Sequence, residues 1–372
     1  MRRLMSALTR FSFIATALVV FAAASVFAQS EVDETNNGSS EQAEQRIYVC
    51  NQGEATLTVI DVATNEIVDR IDLKELGFSA NAKPHHTVAE PDGSHWYVTL
   101  IGENRVLKFN RQNELVAQAT MEVPGLLSLH PSRDLLLVGR SMSAVNPPQS
   151  IGLIRRSDMT LQREIDTFFA RPHAIATDPA GAWTFIASLA QNQILSLNTD
   201  TEDTELATFG GDTHVFVDFA ISPDGKTMVA TGQVSGKLLI LDISDPASLS
   251  VTDTLDVNAQ PWHPIFSPDG RYVYFGNKGA HTVTVVDMKS RKVEAVIEGN
   301  GLAEPHGSAL SADGKYLYIS NNNRKGTYGA SGSSPDGDPN GTITVINTET
   351  RAIEKVIEVG AYPSGIGTRA FW

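Results

Sequence analysis

From residue 46 to the C-terminus, apolar and polar positions alternate in short runs broken by turns of Gly, Asn, Asp and Ser. Alternation with a period of two marks β-strands that set one face against a core, and no helical period of comparable length competes with it. The runs fall into repeating groups of four. Each group has a turn of the Ser-Pro-Asp-Gly type, as at 222–225 and 267–270, with variants at 90–93 and 311–314. An aromatic or β-branched run follows, such as Tyr272–Asn277, then a polar turn, then Thr282–Asp287, then Lys292–Ile297. Four strands in a unit of roughly 40–50 residues make a propeller blade.

Seven stretches open the first, innermost strand of a unit: KPHHTVAEPDG, EVPGLLSLHPSRD, ARPHAIATDPAG, GDTHVFVDFAISPDG, AQPWHPIFSPDG, AEPHGSALSADG and AYPSGIGTRAFW. The repeat region begins with YVCNQGEATLTVIDVATNEIVDRI, which holds strands two to four only, and it ends on a first strand with nothing after it. One blade is therefore shared between the termini. The expected fold is an all-β, seven-bladed propeller of four-stranded blades over 46–372, closed three-plus-one. Tyr48-Val49-Cys50-Asn51 and Tyr97-Val98-Thr99, each leading to a turn and a TVxVID-type strand, resemble the YVTN family of propeller repeats. That resemblance covers the whole repeat region and implies fold far more than function.

Ahead of the repeats, Arg2, Arg3 and Arg10 flank an apolar run from Phe11 to Ala28. A basic start, an apolar stretch and small residues at its end predict a secretory signal peptide over 1–28, and hence a periplasmic or secreted protein with no membrane span after cleavage. Residues 29–45, rich in Glu, Asn, Ser and Gln, bury too little apolar surface to fold and read as a linker. The chain carries a formal charge of −14 and loses three arginines with the leader, so nucleic acid is excluded as a partner. Cys50 is the single cysteine, which excludes an internal disulfide, a CxxC pair and a thiolate-rich metal cluster.

The histidines supply the candidate chemistry. Six of the nine stand at or near the openings of first strands: His85, His86, His173, His214, His263 and His306. His85, His173 and His306 each follow a proline at the same distance from the next turn. First strands line a propeller's axis and begin on one face, so these side chains are expected at one mouth of the central channel. Adjacent strand residues point to opposite faces, so His85 and His86 both reach the axis only through a bulge. Converging neutral imidazoles suit copper first and zinc second, thiolate being absent. Asp218 and Glu304 are candidate ligands or carboxylates that orient an imidazole. His95, His130 and His281 fall at turns or strand ends and are set aside.

The His85-His86 pair and Pro305-His306-Gly307 look like ligand motifs of the copper-cluster propeller of nitrous oxide reductase, with His173, His263 and His214 as the further ligands such a resemblance implies. The chain departs from that family in having six such histidines and no cupredoxin domain. The resemblance therefore implies a simpler copper site, serving redox chemistry as a copper-dependent oxidoreductase with a soluble electron-transfer protein, or copper handling with a metallochaperone. The alternatives are a metal-free propeller acting as a binding scaffold and a propeller that holds haem without covalent attachment. Asp336, Asp338 and Asn340 also match the opening of a calcium loop, but its closing Glu falls at Asn347. They lie in an insertion between the second and third strands of a blade, which should emerge on the histidine face, as should the loop at 140–150.

Overall fold

The computed structural model describes residues 45–142 and 146–368. The signal peptide and all but the last residue of the linker lie outside the described residues. The propeller is seven four-stranded antiparallel sheets. Blade 1 joins Pro363–Gly367 from the C-terminus to Arg46–Asn51, Thr56–Asp61 and Glu66–Asp72, which is the expected three-plus-one closure. Blades 2 to 7 open at Pro84–Ala89, Pro124–Leu129, Pro172–Thr177, Phe216–Ile221, Ile265–Phe266 and Pro305–Leu310. Each opening strand touches that of the next blade, and the seventh touches the first, so the ring is closed. The circle is tight where the termini meet: a Cβ on Gly365 would lie 2.1 Å from the carbonyl oxygen of His85.

Apolar faces of adjacent blades form the core. Between blades 1 and 2, Tyr48 stacks on Trp96 with ring centres 4.3 Å apart, and Trp96 on Phe109 at 4.4 Å. The sequence signature of the second strand also has a polar purpose. Asn277, at the end of the second strand of blade 6, donates through Nδ2 to Thr282 at 2.9 Å and Thr284 at 2.8 Å on the third strand. Asn51 makes the same pair of bonds to Thr56 and Thr58. Because the Asn277 amide is fully buried, Asn277→Ala removes bonded polar groups where water cannot replace them. Urea unfolding should show a loss of roughly 1–3 kcal/mol. A change within error would mean that these bonds contribute nothing net.

One device recurs in all seven blades. The residue before each opening strand, or in blade 6 before the Pro261 bridge that precedes it, has a left-handed backbone: Lys83 (φ 52°), Val123 (38°), Arg171 (58°), Val215 (56°), Gln260 (55°), Glu304 (60°) and Tyr362 (51°). None is glycine, and two are β-branched valines for which this conformation is costly. Each kink is held by its own carbonyl, which accepts a backbone N–H from the residue just after the second strand at 2.8–3.2 Å. Immediately downstream the pairing slips, between Pro84 and Thr87, Pro172 and Ala174, Phe216 and Asp218, and Pro305 and Ser308. In blade 6 Pro261 makes only an isolated bridge to Asn277, and regular pairing starts at Ile265. Kink plus bulge re-aims the first side chains of each strand. Those are the histidine positions.

Candidate metal centre

His85, His173, His263 and His306 are all buried, with 1–6% of their surface exposed. The ring centres of His85 and His173 are 5.7 Å apart, and those of His263 and His306 are 5.0 Å apart. His86 reaches the same cluster, its ring 6.5 Å from that of His263, and the bulge after Pro84 lets both members of the pair do so. A metal–nitrogen bond of about 2 Å puts a ring centre about 3 Å from the ion, so two imidazoles at a tetrahedral angle would have centres about 5 Å apart. The spacings within the His85–His173 and His263–His306 pairs are near that size. The nitrogens themselves are not gathered on one point: among the described residues no three His, Cys, Asp or Glu side chains form a ligating group.

Hydrogen bonding decides where each lone pair sits. His173 Nδ1 is 3.0 Å from the backbone carbonyl of Arg140. His263 Nδ1 is 2.6 Å from Asp218 Oδ2, and His85 Nδ1 is 3.3 Å from Gln52 Oε1. A carbonyl, a carboxylate and an amide oxygen only accept, so Nδ1 carries a proton in all three rings, and in the neutral rings of His85 and His173 the lone pair falls on Nε2. The Nε2 of His85 is buried without a partner, as is the Nδ1 of His306. His86 is the reverse case. Its Nδ1 accepts the backbone N–H of Leu127 at 3.1 Å, so its neutral ring bears the proton on Nε2. That bond removes the ready lone pair that a metal ligand needs.

The imidazoles of His85, His86, His173 and His306 stay neutral. Burial, with the neighbouring His173, His86 and His263, holds His85 well below its ordinary value of 6.5. Burial likewise lowers His306, with Lys278 and His263 adding to the effect. Burial brings His173 to about 4 and His86 to about 3. Crowded imidazoles that repel each other's charge and lack water are ready to share a positive ion in place of protons.

The remaining sequence candidates separate from this group. His214 stacks on Phe216 with ring centres 5.4 Å apart and meets Ser235 Oγ at 2.9 Å, and burial lowers it while Asp212 and Lys237 are the charges it feels. It makes no ring contact with another histidine among the described residues. Its strand start falls outside the kink, which follows it at Val215. Asp218 orients His263, as a carboxylate partner of an imidazole does. Glu304 is buried but turns away, its Oε2 accepting the backbone N–H of Lys325 at 3.1 Å. Asp336 and Asp338 are exposed at a hairpin tip, where the Ser334 and Asp338 backbones pair, while Asn340 Nδ2 donates to Glu358 Oε1 at 3.1 Å. The three do not form a shared cradle. His130 is a turn brace, its Nδ1 accepting from Ser132 and Arg133, and His281 Nδ1 accepts from Glu304 N.

Arg140 and Gln52 carried no sequence signal for their parts. Arg140 is almost wholly buried and anchors the loop after it through Ser150 and Glu164, fixing the carbonyl that orients His173. Their one common feature is position, at or just after the end of a second strand, on the histidine face. Opposite that face, an axial cavity of about 690 Å³ runs from His86, between Leu127, Ile175 and Ile265, to the turn prolines Pro91, Pro179, Pro223 and Pro268. His86 is the one member of the cluster on its wall.

The fold is a seven-bladed β-propeller, and buried histidines near the starts of its innermost strands make ring contacts with one another. Among curated proteins, Antigen Lp49 of Leptospira interrogans is 23% identical over 273 residues, which covers 66% of this chain and 55% of that protein. The match thus spans just over half of that relative's length. No protein-family model matches. Among solved structures, a functionally unknown protein from Desulfotomaculum acetoxidans aligns with a TM-score of 0.70 at 16% identity, covering 87% of this chain and 98% of that one. Kuenenia stuttgartiensis hydrazine synthase aligns at 0.63 and 18%, over 77% and 89% of the two chains. Dihydro-heme d1 dehydrogenase NirN in complex with DHE aligns at 0.58 and 13%, over 86% and 74%. At these identities the structural matches show the propeller fold.

Proposed function

We propose that this propeller binds a transition-metal ion, copper ahead of zinc, through His85, His173, His263 and His306. The observation that carries the reading is the hydrogen-bond pattern: three buried imidazoles each have Nδ1–H tied to an outer oxygen, which leaves Nε2 as the nitrogen that can serve an ion. Outer partners of this kind orient metal-binding histidines and raise their basicity. All-nitrogen donor sets favour copper over zinc among divalent ions. Bound copper would supply one-electron chemistry with an external donor, or would be cargo for transfer. Export by the N-terminal segment, with the YVTN-type repeats and the histidine motifs resembling those of the nitrous oxide reductase propeller, fits a copper protein of the periplasm.

Metal analysis and an optical spectrum of protein purified from an exporting host, before and after copper reconstitution, test this. About one copper per chain supports it. Zinc retained against excess copper would change the metal, and metal-free protein after reconstitution would leave the scaffold reading. The haem reading has one observation in its favour, the axial cavity with His86 on its wall, together with the likeness to a propeller solved with DHE. Against it, the His86 lone pair is already engaged by Leu127. A Soret band would establish it.

A further inference from the structure

Above His306 the structure gathers groups that the metal reading does not use. Trp262 is 5% exposed, and its ring centre lies 4.3 Å from that of His306. Its Nε1–H is buried with no acceptor. The ammonium of Lys278 sits 4.7 Å from the Trp262 ring centre and 5.6 Å from that of Tyr362. Arg324, from the long insertion, lies 5.1 Å from the Tyr362 ring centre. Arg324 and Lys325 are close enough to repel the charge on Lys278, and Glu304 is the carboxylate that opposes them there. Among the described residues none of the three cations forms an ion pair. In a chain with a formal charge of −14, this is a local excess of positive charge.

The exposure of these groups falls inward, from Arg324 and Lys325 at the surface, through a partly buried Lys278, to Trp262 and His306. A large acidic partner would reach the outer two only. A small anion would reach Lys278 and the orphaned indole N–H as well, gaining charge-assisted bonds that the protein alone leaves unmade. We propose that Lys278, Trp262 and Arg324 form a binding site for a small monovalent oxyanion, of the size of formate or nitrate, beside His306. The insertion at 321–341 supplies Arg324 and Lys325 to it, and Glu304 holds the start of that insertion through the Lys325 backbone. Lys278 is placed by the seven-fold device described above, its own N–H bonding the kink carbonyl of Gln260 at 2.8 Å.

The site is independent of the ion and is tested on metal-free protein, so its failure and the failure of the copper reading are separable. Sodium formate is titrated at constant ionic strength, with tryptophan fluorescence and the thermal midpoint as readouts. The expected result is a saturable response that Lys278→Met weakens by at least ~10-fold, that Lys278→Arg largely restores, and that Arg324→Gln weakens less. Arg324 is exposed, so that variant reports even if Lys278→Met folds poorly. A wild-type protein without saturable response overturns the proposal, as does Lys278→Met and Arg324→Gln protein that titrates like wild type. A response to polyglutamate but not to formate also overturns it.

Discussion

Protein carrying His173→Ala and His306→Ala will lose stoichiometric copper, with affinity at least ~100-fold below wild type, because loss of an outer partner alone costs about 10–100-fold and these are the donors themselves. The two rings were chosen from the two contacting pairs, His85 with His173 and His263 with His306, so each pair is broken. Asp218→Ala should cost about 10–100-fold, since it frees His263 to turn and to place its proton on either nitrogen. His214→Ala should leave copper binding unchanged, because its ring belongs to Phe216 and Ser235. His86→Ala should have a much smaller effect than His173→Ala. Competition against a chelator of known affinity reads all four. Equal losses on removing His86, His214 and His173 would mean that the hydrogen-bonded proton positions do not select the ligands.

Metal-free protein should lose stability steeply as pH falls from 6.5 towards 5. His85, His86, His173 and His306 have their folded values depressed below 6.5 by burial, His173 to about 4 and His86 to about 3. Between those values and 6.5 the unfolded chain holds protons on these rings and the folded chain does not. Acid therefore favours unfolding: the stability is complete above 6.5 and is lost as pH falls. Each such ring contributes a slope of about 1.4 kcal/mol per pH unit, so the four together approach about 5.5 kcal/mol per unit. Urea midpoints measured at pH 7, 6 and 5 check this, and His173→Gln with His306→Gln should flatten the dependence by about half. A midpoint that does not move between pH 7 and 5 would mean that the imidazoles are hydrated in solution. Copper should protect against acid, since the ion occupies the lone pairs that protons would take.

The strain at the strand starts and the character of the site have one origin. A left-handed non-glycine residue in every blade is an unfavourable local choice made seven times, and a backbone bond from the neighbouring strand holds each one. It gives the ring a rim of re-aimed side chains. Only some blades place an imidazole there: Ser364 fills the slot in blade 1, donating weakly to carbonyls that include His85 O, and Gly125 fills it in blade 3. The rim is thus a general frame that this chain has furnished with histidine in blades 2, 4, 6 and 7.

The repeats, the seven strand openings and the split blade were legible in the sequence because period-two patterning and turn chemistry are local, and ring closure follows by counting. The common address of the histidines was legible for the same reason, and so was the need for a bulge at His85-His86. The tertiary structure alone decided which imidazoles have a lone pair to offer. Gln52, Arg140 and Asp218 lie 33, 33 and 45 residues from the rings they orient, each on a different blade from its histidine. It also set His214 apart, since the kink at Val215 comes after it rather than before. The Lys278–Trp262–Arg324 group was invisible for a similar reason: closing the ring and folding down the insertion place cation, indole and loop together. Local chemistry wrote the frame, and contacts between blades assigned the protons.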